Sequence, residues 1–511
     1  MNDATVQYEA PDDKMDSASV RNELVDGVSA EYHEYLRLSG IYQGEALRKL
    51  TRKIDIHVVP QLLIIYALSN IDRSNVGNAR LFGAEKDMGL TATHWNVALS
   101  IFFVTYALAG PISNIFLKRF GPKKILPALL FTVSLVLVGS GCAKNKAAWF
   151  ALRLLLGAFE AGMFPGCAYT LTTWYTPADL HSRISWFYLG SAFSNITGSL
   201  LAYGIGQLDG IWGYRGWRWI YVLEGCFSFV FAIGAYFWIQ DTPAKQGRWL
   251  QEEERTFVIL RNRFAYGHDQ SGSEDDFNWR AILSAATSIH TWAICWFYFT
   301  CCIAIYGFSF TIPTIMNNLG FTAAVSQAMS APPYAFAAIC LVVLGWFSER
   351  VRQRMLTFIL PAIMAWIGTL ICLLTVAHKH LVALTYVGVV LAAGGLVCLS
   401  PACTAWIGLN SAGQSKRNGA IALTTVRAQF GGIVGSNIYL AKEKPLYHTG
   451  FGCALAFLGF GCIISPLIYA YYCKRVNAAR EAMTEEEISA KWTPEQLRAL
   501  GDKSPYYRYE Y

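Results

Sequence analysis

By length the chain reads as about twelve membrane-spanning stretches, and that recurrence decides most of what the chain can fold into. A helix needs about 20 residues to span the hydrocarbon core. Only helices and closed barrels satisfy their own backbone polar groups there. The first six stretches are His57–Ala79, His94–Leu117, Lys123–Ala143, Ala147–Leu171, Ile184–Gly206 and Trp217–Ile239. A polar gap, Gln240–Ser288, separates them from Ile289–Ile315, Ala328–Phe347, Leu356–Ala377, Leu381–Leu409, Gly419–Ala441 and Gly450–Cys473. The pattern predicts an all-α membrane protein of twelve transmembrane helices in two six-helix halves. It divides the chain into an N-terminal tail (1–52), a half (53–240), a linker (241–288), a second half (289–475) and a C-terminal tail (476–511). A central gap between equal halves suggests a two-repeat transporter.

Composition agrees. Charged residues make up 15% of the chain, against about 25% in soluble domains. The net charge of +7 calls for no nucleic-acid partner, because much of it flanks the apolar stretches. Its distribution over short loops orients the chain with both termini and the linker in the cytosol. One side carries Lys118, Arg119, Lys123, Lys124, Arg183, Arg350, Arg352, Arg354, Lys416, Arg417, Lys474 and Arg475. No signal peptide is visible, so the first span is expected to direct insertion. The plasma membrane is the expected location. Residues up to Gly44 read as disordered, and Glu45–Lys53 reads as a short basic amphipathic stretch before the first span. Thr493-Pro494-Glu495-Gln496 has the form of a capping box opening a short helix in the tail. Thirteen cysteines, among them Cys226, Cys340 and Cys462 within apolar stretches, show no metal-ligand spacing and read as buried small side chains. No metal or cofactor is expected, and no phosphate-binding loop, catalytic nucleophile or metal motif marks an enzyme.

Charges inside the apolar stretches carry the functional signal, since each costs at least about 2.5 kcal/mol at a membrane centre. Arg153 and Glu160 in the fourth stretch are seven positions apart, on one helical face and about 10 Å apart along the axis. Gly157 and Gly162 let another helix approach them. The pair reads either as part of a substrate or proton path or as an ion pair that staples helices. Asp72 and Arg73 are adjacent in the first stretch, followed by Ser74, Asn75 and Asn78, a run too polar to face lipid. An anionic substrate is well served by the planar donor fork of an arginine. A proton-coupled carrier also needs a carboxyl group, for which Asp72 and Glu160 are the candidates. Tyr106, Trp406, Asn410 and Arg427 are further candidate ligand contacts, each with core packing or a structural pairing as the alternative. Gln429 lies in the same stretch as Arg427. Glu224 in the sixth stretch reads as a structural partner.

Two loops tie the halves to a family. Asn114–Lys124 and Gly345–Arg354 are short, basic and equivalently placed, after the second and eighth stretches. They resemble the loop signature of the major facilitator superfamily, Gly-x-x-x-Asp-Arg-x-Gly-Arg-Arg. Gly345, Glu349 and Arg350 fit it; in the first copy Arg119 and Gly121 fit, while Asn114 and Lys118 replace the usual Gly and Asp. More specific stretches are Asn70–Ala79, Arg153–Gly166 with Trp174-Tyr175, Trp217–Gly225, Ile312–Ile315 with Leu319–Phe321, Trp406–Asn410 and Ser504–Tyr509. Together they resemble the fungal anion:cation symporters of the allantoate permease group. That resemblance implies the major facilitator fold and a secondary active transporter, not an enzyme. Its substrate would be a small organic anion, nicotinate-like monocarboxylates first, moved with protons by alternating access. In the same superfamily, bacterial sugar-acid symporters and vesicular anion carriers are similar at the first-span pair Asp72-Arg73 and at Arg153 and Glu160 of the fourth span. That resemblance implies that Arg73 binds the substrate carboxylate, that Asp72 and Glu160 handle protons, and that Arg153 keeps Glu160 charged. Lys118, Arg119, Gly121, Gly345, Glu349 and Arg350 would form the gating loops. The expected partners are the substrate, protons and lipid, with the protein a monomer. The alternatives are a carrier for a secondary-metabolite pathway and, further off, a nutrient receptor.

Overall fold

The computed structural model describes residues 30–245, 249–265, 284–351, 353–411, 414–493, 496–497 and 500–511. Among them no strand occurs, and twelve long helical elements cross the body. We label these α1 (Gly44–Leu81), α2 (Ala92–Phe120), α3 (Pro122–Gly141), α4, α5 (Pro177–Gly206), α6 (Gly216–Trp238), α7 (Ile289–Asn318), α8 (Ala331–Val351), α9 (Arg354–Thr375), α10 (Val382–Leu409), α11 (Gln414–Ile438) and α12. α4 runs as Lys146–Glu160 and then Met163–Trp174. α12 runs as His448–Ala456, a π-helical stretch Phe457–Ile464, and Ser465–Glu481. Ten of the twelve are long and apolar enough to cross a membrane. The other two, α5 and α11, are the same element of each half, and both lie in the seams where the halves meet. A helix covered by protein can carry more polar side chains than one that faces lipid.

Three details differ from what the sequence predicts. Ala30–Ile41, expected to be disordered, is a helix. It packs on a linker helix, Glu252–Ala265, by aromatic contacts such as Tyr35–Phe264 (5.1 Å) and Tyr32–Phe264 (5.3 Å). The basic stretch Glu45–Lys53 is not a separate element but the start of α1, whose 38 residues reach roughly 57 Å. Lys53 there pairs with Glu254 of the linker helix at 2.6 Å. The fourth apolar stretch is not one helix: it breaks at Ala161 and Gly162, directly after Glu160.

Two seams join the halves, α2 against α11 and α5 against α8. They exchange under the pseudo-symmetry that relates α2 to α8 and α5 to α11. Toward the end away from the linker the halves are packed shut. Phe103 of α2 lies 4.7 Å from Tyr306 and 6.3 Å from Phe310 of α7, and Asn437 donates to Ser100 across the α2–α11 seam. Toward the linker end, the second segment of α4 packs on α1, α3, α5 and the linker helix, all of its own half. The C-terminal tail folds back over the linker end of the second half. Lys416 and Asp502 form a buried ion pair, Arg354 meets Glu510 at 2.9 Å, and Tyr509 stacks on His290 at 3.7 Å. The reciprocal bonds of the Thr493–Gln496 capping box are present.

Candidate central cavity

Arg73 sits in the last quarter of α1, where the neighbouring Asn70, Asn75 and Asn78 leave the helix too polar for lipid. Its Nε donates to Oε1 of Glu160 at 2.6 Å, and its Nη1 donates to the hydroxyl of Tyr306, on the other half, at 2.9 Å. The ring of Tyr106 lies 4.9 Å from the guanidinium carbon, a cation–π distance. Glu160 is 1% exposed, and its second oxygen, Oε2, has no hydrogen-bond partner. One carboxylate thus neutralises the arginine with a single oxygen.

That approach depends on a glycine. A Cβ at Gly157 would fall 2.3 Å from the backbone oxygen of Phe102, so only glycine lets α4 lie this close to α2. Small residues at such crossings are what allow membrane helices to pack backbone to backbone. The crossing holds the carboxyl of α4 and the aromatic face of α2 around the same guanidinium.

Around Arg73 a cavity of about 890 Å³, its open mouth included, lies between the halves. Six tyrosines line it, Tyr66, Tyr106 and Tyr188 from the first half and Tyr298, Tyr306 and Tyr334 from the second. Phe164 and Phe310 add two more rings, and Asn70, Asn195, Ser400, Thr425 and Gln429 supply neutral polar atoms. Arg73 is the one charged residue among the described lining residues. Such a site offers one cation, many hydroxyl donors and flat apolar faces.

Of the residues singled out in the sequence, Arg73, Tyr106 and Glu160 come together here. The side chain of Asp72 lies outside the described residues, as do those of Lys118 and Glu349. Arg153 is not the contact partner of Glu160. It donates to the hydroxyl of Tyr221 and lies 4.5 Å from the ring of Trp149, while the carboxyl of Glu160, about 10 Å further along the helix, meets Arg73 of α1. Trp406 and Asn410 do not reach the cavity either. Both donate to the backbone oxygen of Glu510, at 3.0 and 2.9 Å, and so clasp the returning tail. Arg427 faces outward over Trp292, 4.1 Å from its ring. Thr425 and Gln429, which share the opposite face of α11, line the cavity instead.

The loop residues serve the linker end. Gly121 takes a φ of +84° between α2 and α3, where a Cβ would press within 2.9 Å of Asp241. Arg119 is exposed beside Phe120, and Arg350 stacks on Trp346 at 4.0 Å, one helical turn from Gly345. Five of the six cavity tyrosines and Gln429 went unassigned in the sequence. Their signal is weak: tyrosine is common in membrane helices, and only the meeting of the two halves turns six of them toward one space.

Comparison with known proteins places this geometry. The sequence profile of the Major Facilitator Superfamily matches residues 62–436. The chain is 34% identical over 487 residues to the MFS-type transporter cnsO of Penicillium expansum, covering 94% of each protein. It is 29% identical to the high-affinity nicotinic acid transporter of Saccharomyces cerevisiae, over 91% of this chain and 85% of that one. Among solved structures it resembles a bacterial homologue of the human lysosomal transporter Spinster, in an inward-facing, unoccupied conformation. The TM-score is 0.57 at 16% identity, over 88% of this chain and 89% of the other, a likeness of fold.

Proposed function

The chain belongs to the Major Facilitator Superfamily, and from that premise we propose that it is a proton-coupled carrier of small aromatic monocarboxylates. The observation that carries this reading is the shared guanidinium of Arg73, bonded at once to Glu160 and Tyr306 inside a cavity walled by tyrosine. A carboxylate needs a desolvated cation with paired donors, which arginine supplies. A flat ring needs aromatic faces, which the six tyrosines supply. The similarity to a nicotinic acid transporter supports the same class of substrate.

Coupling follows from competition. With Glu160 ionised, its carboxylate occupies the fork of Arg73. A proton on Glu160 removes that claim and frees the guanidinium for the carboxylate of the substrate. Proton and substrate therefore enter together. When both leave, the Arg73–Glu160 pair re-forms and neutralises the empty site. The two halves then rock about the fixed site, as two-repeat carriers do.

The Lys and Arg bias of the short loops supports cytosolic termini. By that orientation the structure is inward-facing, since it is closed at the end away from the linker. The quoted family stretches support membership of the allantoate permease group, and a plasma-membrane monomer is the simplest assembly.

The test is uptake into vesicles with a pH step, across matched ligands. Nicotinate and benzoate should compete at least about tenfold better than an aliphatic acid of similar size. Nicotinamide, the neutral amide of the same ring, should not compete. Equal competition by nicotinamide would remove the role of Arg73, and equal competition by the aliphatic acid would remove that of the tyrosine wall.

A further inference from the structure

The cavity does not use every buried carboxyl. Glu224, near the middle of α6, is 5% exposed. Its Oε2 accepts a hydrogen bond from Nδ2 of Asn75 on α1. Its Oε1 has no partner, and neither does Oδ1 of the same Asn75. Two acceptors on one bonded pair of side chains thus both lack a donor.

Cations stand on the surrounding elements, and among the described residues none bonds Glu224. On α1, Arg73 holds Glu160 and Tyr306, and Arg80 pairs with Glu85 at 2.8 Å. On α4, Arg153 donates to Tyr221, one turn from Glu224 on α6 itself. At the start of α6, Arg218 pairs with Asp87 at 3.0 Å. α3 packs along α6, with Ser134 and Val138 against Gly225, and has no ionisable residue after Lys124 other than hydroxyl side chains. α5 carries its charged residues and His181 in its first turns, where Arg183 pairs with Asp55 at 3.0 Å. Asp72, one turn before Asn75 on α1, is acidic and supplies no countercharge. Among the described residues Glu224 makes no ion pair.

An ionised carboxylate is not stable in such a place without a cation. One proton changes the balance, because the neutral acid owns a hydroxyl. Placed on Oε1, that hydroxyl can donate to Oδ1 of Asn75 while Oε2 still accepts from Nδ2. The acid and the amide then satisfy each other on both sides, and the two unpartnered acceptors are accounted for together.

We propose that Glu224 is a second proton-binding site, outside the cavity, whose proton is shared with Asn75 and cycles as α1 moves against α6. Asn75 sits two residues from Arg73 on the same helix. Rocking of the half as a body carries α1 and α6 together; a shift of α1 relative to α6 on loading of Arg73 would strain the acid–amide pair, expose the carboxyl and let the proton leave. Its binding rests on geometry alone; its cycling rests on the transport reading above.

Infrared spectroscopy of the purified full-length carrier tests the first part. The wild type at neutral pH should show a protonated-carboxyl carbonyl band that Glu224→Gln removes. Asn75→Ala should keep that band but shift it to higher frequency, as the acid loses its amide partner. A spectrum that Glu224→Gln leaves unchanged overturns the proposal. If Glu224→Gln does not fold, an unshifted band in Asn75→Ala does the same. The second part is read from uptake against pH in vesicles, where Glu224→Gln should lower the steepness by about one proton. A lost band with an unchanged pH profile would mark a fixed structural proton and overturn the cycling. The infrared result stands whichever substrates the uptake panel finds.

Discussion

The two halves of the molecule keep their charges in different places. The first half has pairs at its helix ends too, such as Arg183 with Asp55, but it also buries ionisable groups: Arg73, Arg153, Glu160 and Glu224 all lie within spanning helices and are at most slightly exposed. In the second half the described residues lining the cavity are uncharged, and the tight ion pairs sit at the linker end. Lys416 meets Asp502 there, and Arg354 meets Glu510. A charge in hydrocarbon is costly; the first half buries several ionisable groups, whereas the second carries Arg427 on an exposed face of α11. The division teaches that the repeats share a fold but not a task. The first half holds the electrostatic switch, and the second supplies rings, hydroxyls and a stiffened linker end. Each prediction below perturbs one side of that contrast.

The largest effect is expected at Arg73. Arg73→Ala leaves Glu160 buried without its countercharge, a change that costs about 3–5 kcal/mol when one member of a buried pair is removed. Uptake should fall to background, and the melting temperature of the purified protein should fall with it. Arg73→Lys keeps the charge and loses the fork, so uptake should drop at least about tenfold while expression survives. Near-normal affinity in Arg73→Lys would move substrate recognition out of the first half.

Glu160→Gln separates coupling from binding. The amide mimics the protonated acid, so substrate counterflow in preloaded vesicles should persist while accumulation driven by a pH step disappears. Accumulation that survives the change would hand the proton path to Asp72 or Glu224. Loss of both activities in a well-folded protein would make Glu160 a structural anchor of Arg73.

Across the divide, Tyr306→Phe removes the hydroxyl with which the second half touches the switch. A hydrogen bond to a charged group contributes about 1.5–3 kcal/mol. At the lower end of that range, KM should rise roughly tenfold, with the pH dependence of uptake kept. A changed pH dependence would mean that the second half shares in proton handling.

The contrast between the halves was half legible in the sequence. Arg73, Arg153 and Glu160 announce themselves, because an ionised residue in an apolar run is rare enough to need a reason. Their pairing does not. The carboxyl bonds Arg73 on α1, beside the close crossing of α4 and α2 at Gly157, and neither contact is visible in the spacing of Arg153 and Glu160. The tyrosine wall is harder still, since its members come from several helices of both halves and each is ordinary in its own helix. For Trp406 and Asn410 the sequence leaves a ligand contact and core packing equally open, for a related reason. Their partner is the backbone of Glu510, 100 positions beyond Asn410, and no local pattern shows a tail returning to clasp a helix end.

That clasp gives a smaller prediction. Asn410 donates to the oxygen of Glu510 and accepts from its backbone nitrogen. Asn410→Ala removes both, together with its bond to the hydroxyl of Tyr469, and each contributes about 1 kcal/mol. Thermal stability should drop by a few degrees, while KM for the substrate stays within about twofold. A large change in KM instead would bring the linker end of the second half into the substrate path.

Arg427→Gln should have the smallest effect, and it decides how the second half treats charge. Arg427 lies within α11, so a reading by composition alone makes it a second anion contact. Each residue turns a helix by about 100°, because 3.6 residues complete a turn. Arg427 is therefore half a turn from both Thr425 and Gln429, the two α11 residues that line the cavity. Its guanidinium instead rests on Trp292, at 4.1 Å from the ring, with its side chain on an exposed face. An exposed cation–π contact contributes about 0.5–1 kcal/mol, so melting should shift by at most a degree or two. Uptake and its pH profile should match the wild type within about twofold. Gln429→Ala, on the cavity face of the same helix, should raise KM more than Arg427→Gln does. The opposite order would place a working charge in the second half and undo the division of labour between the repeats.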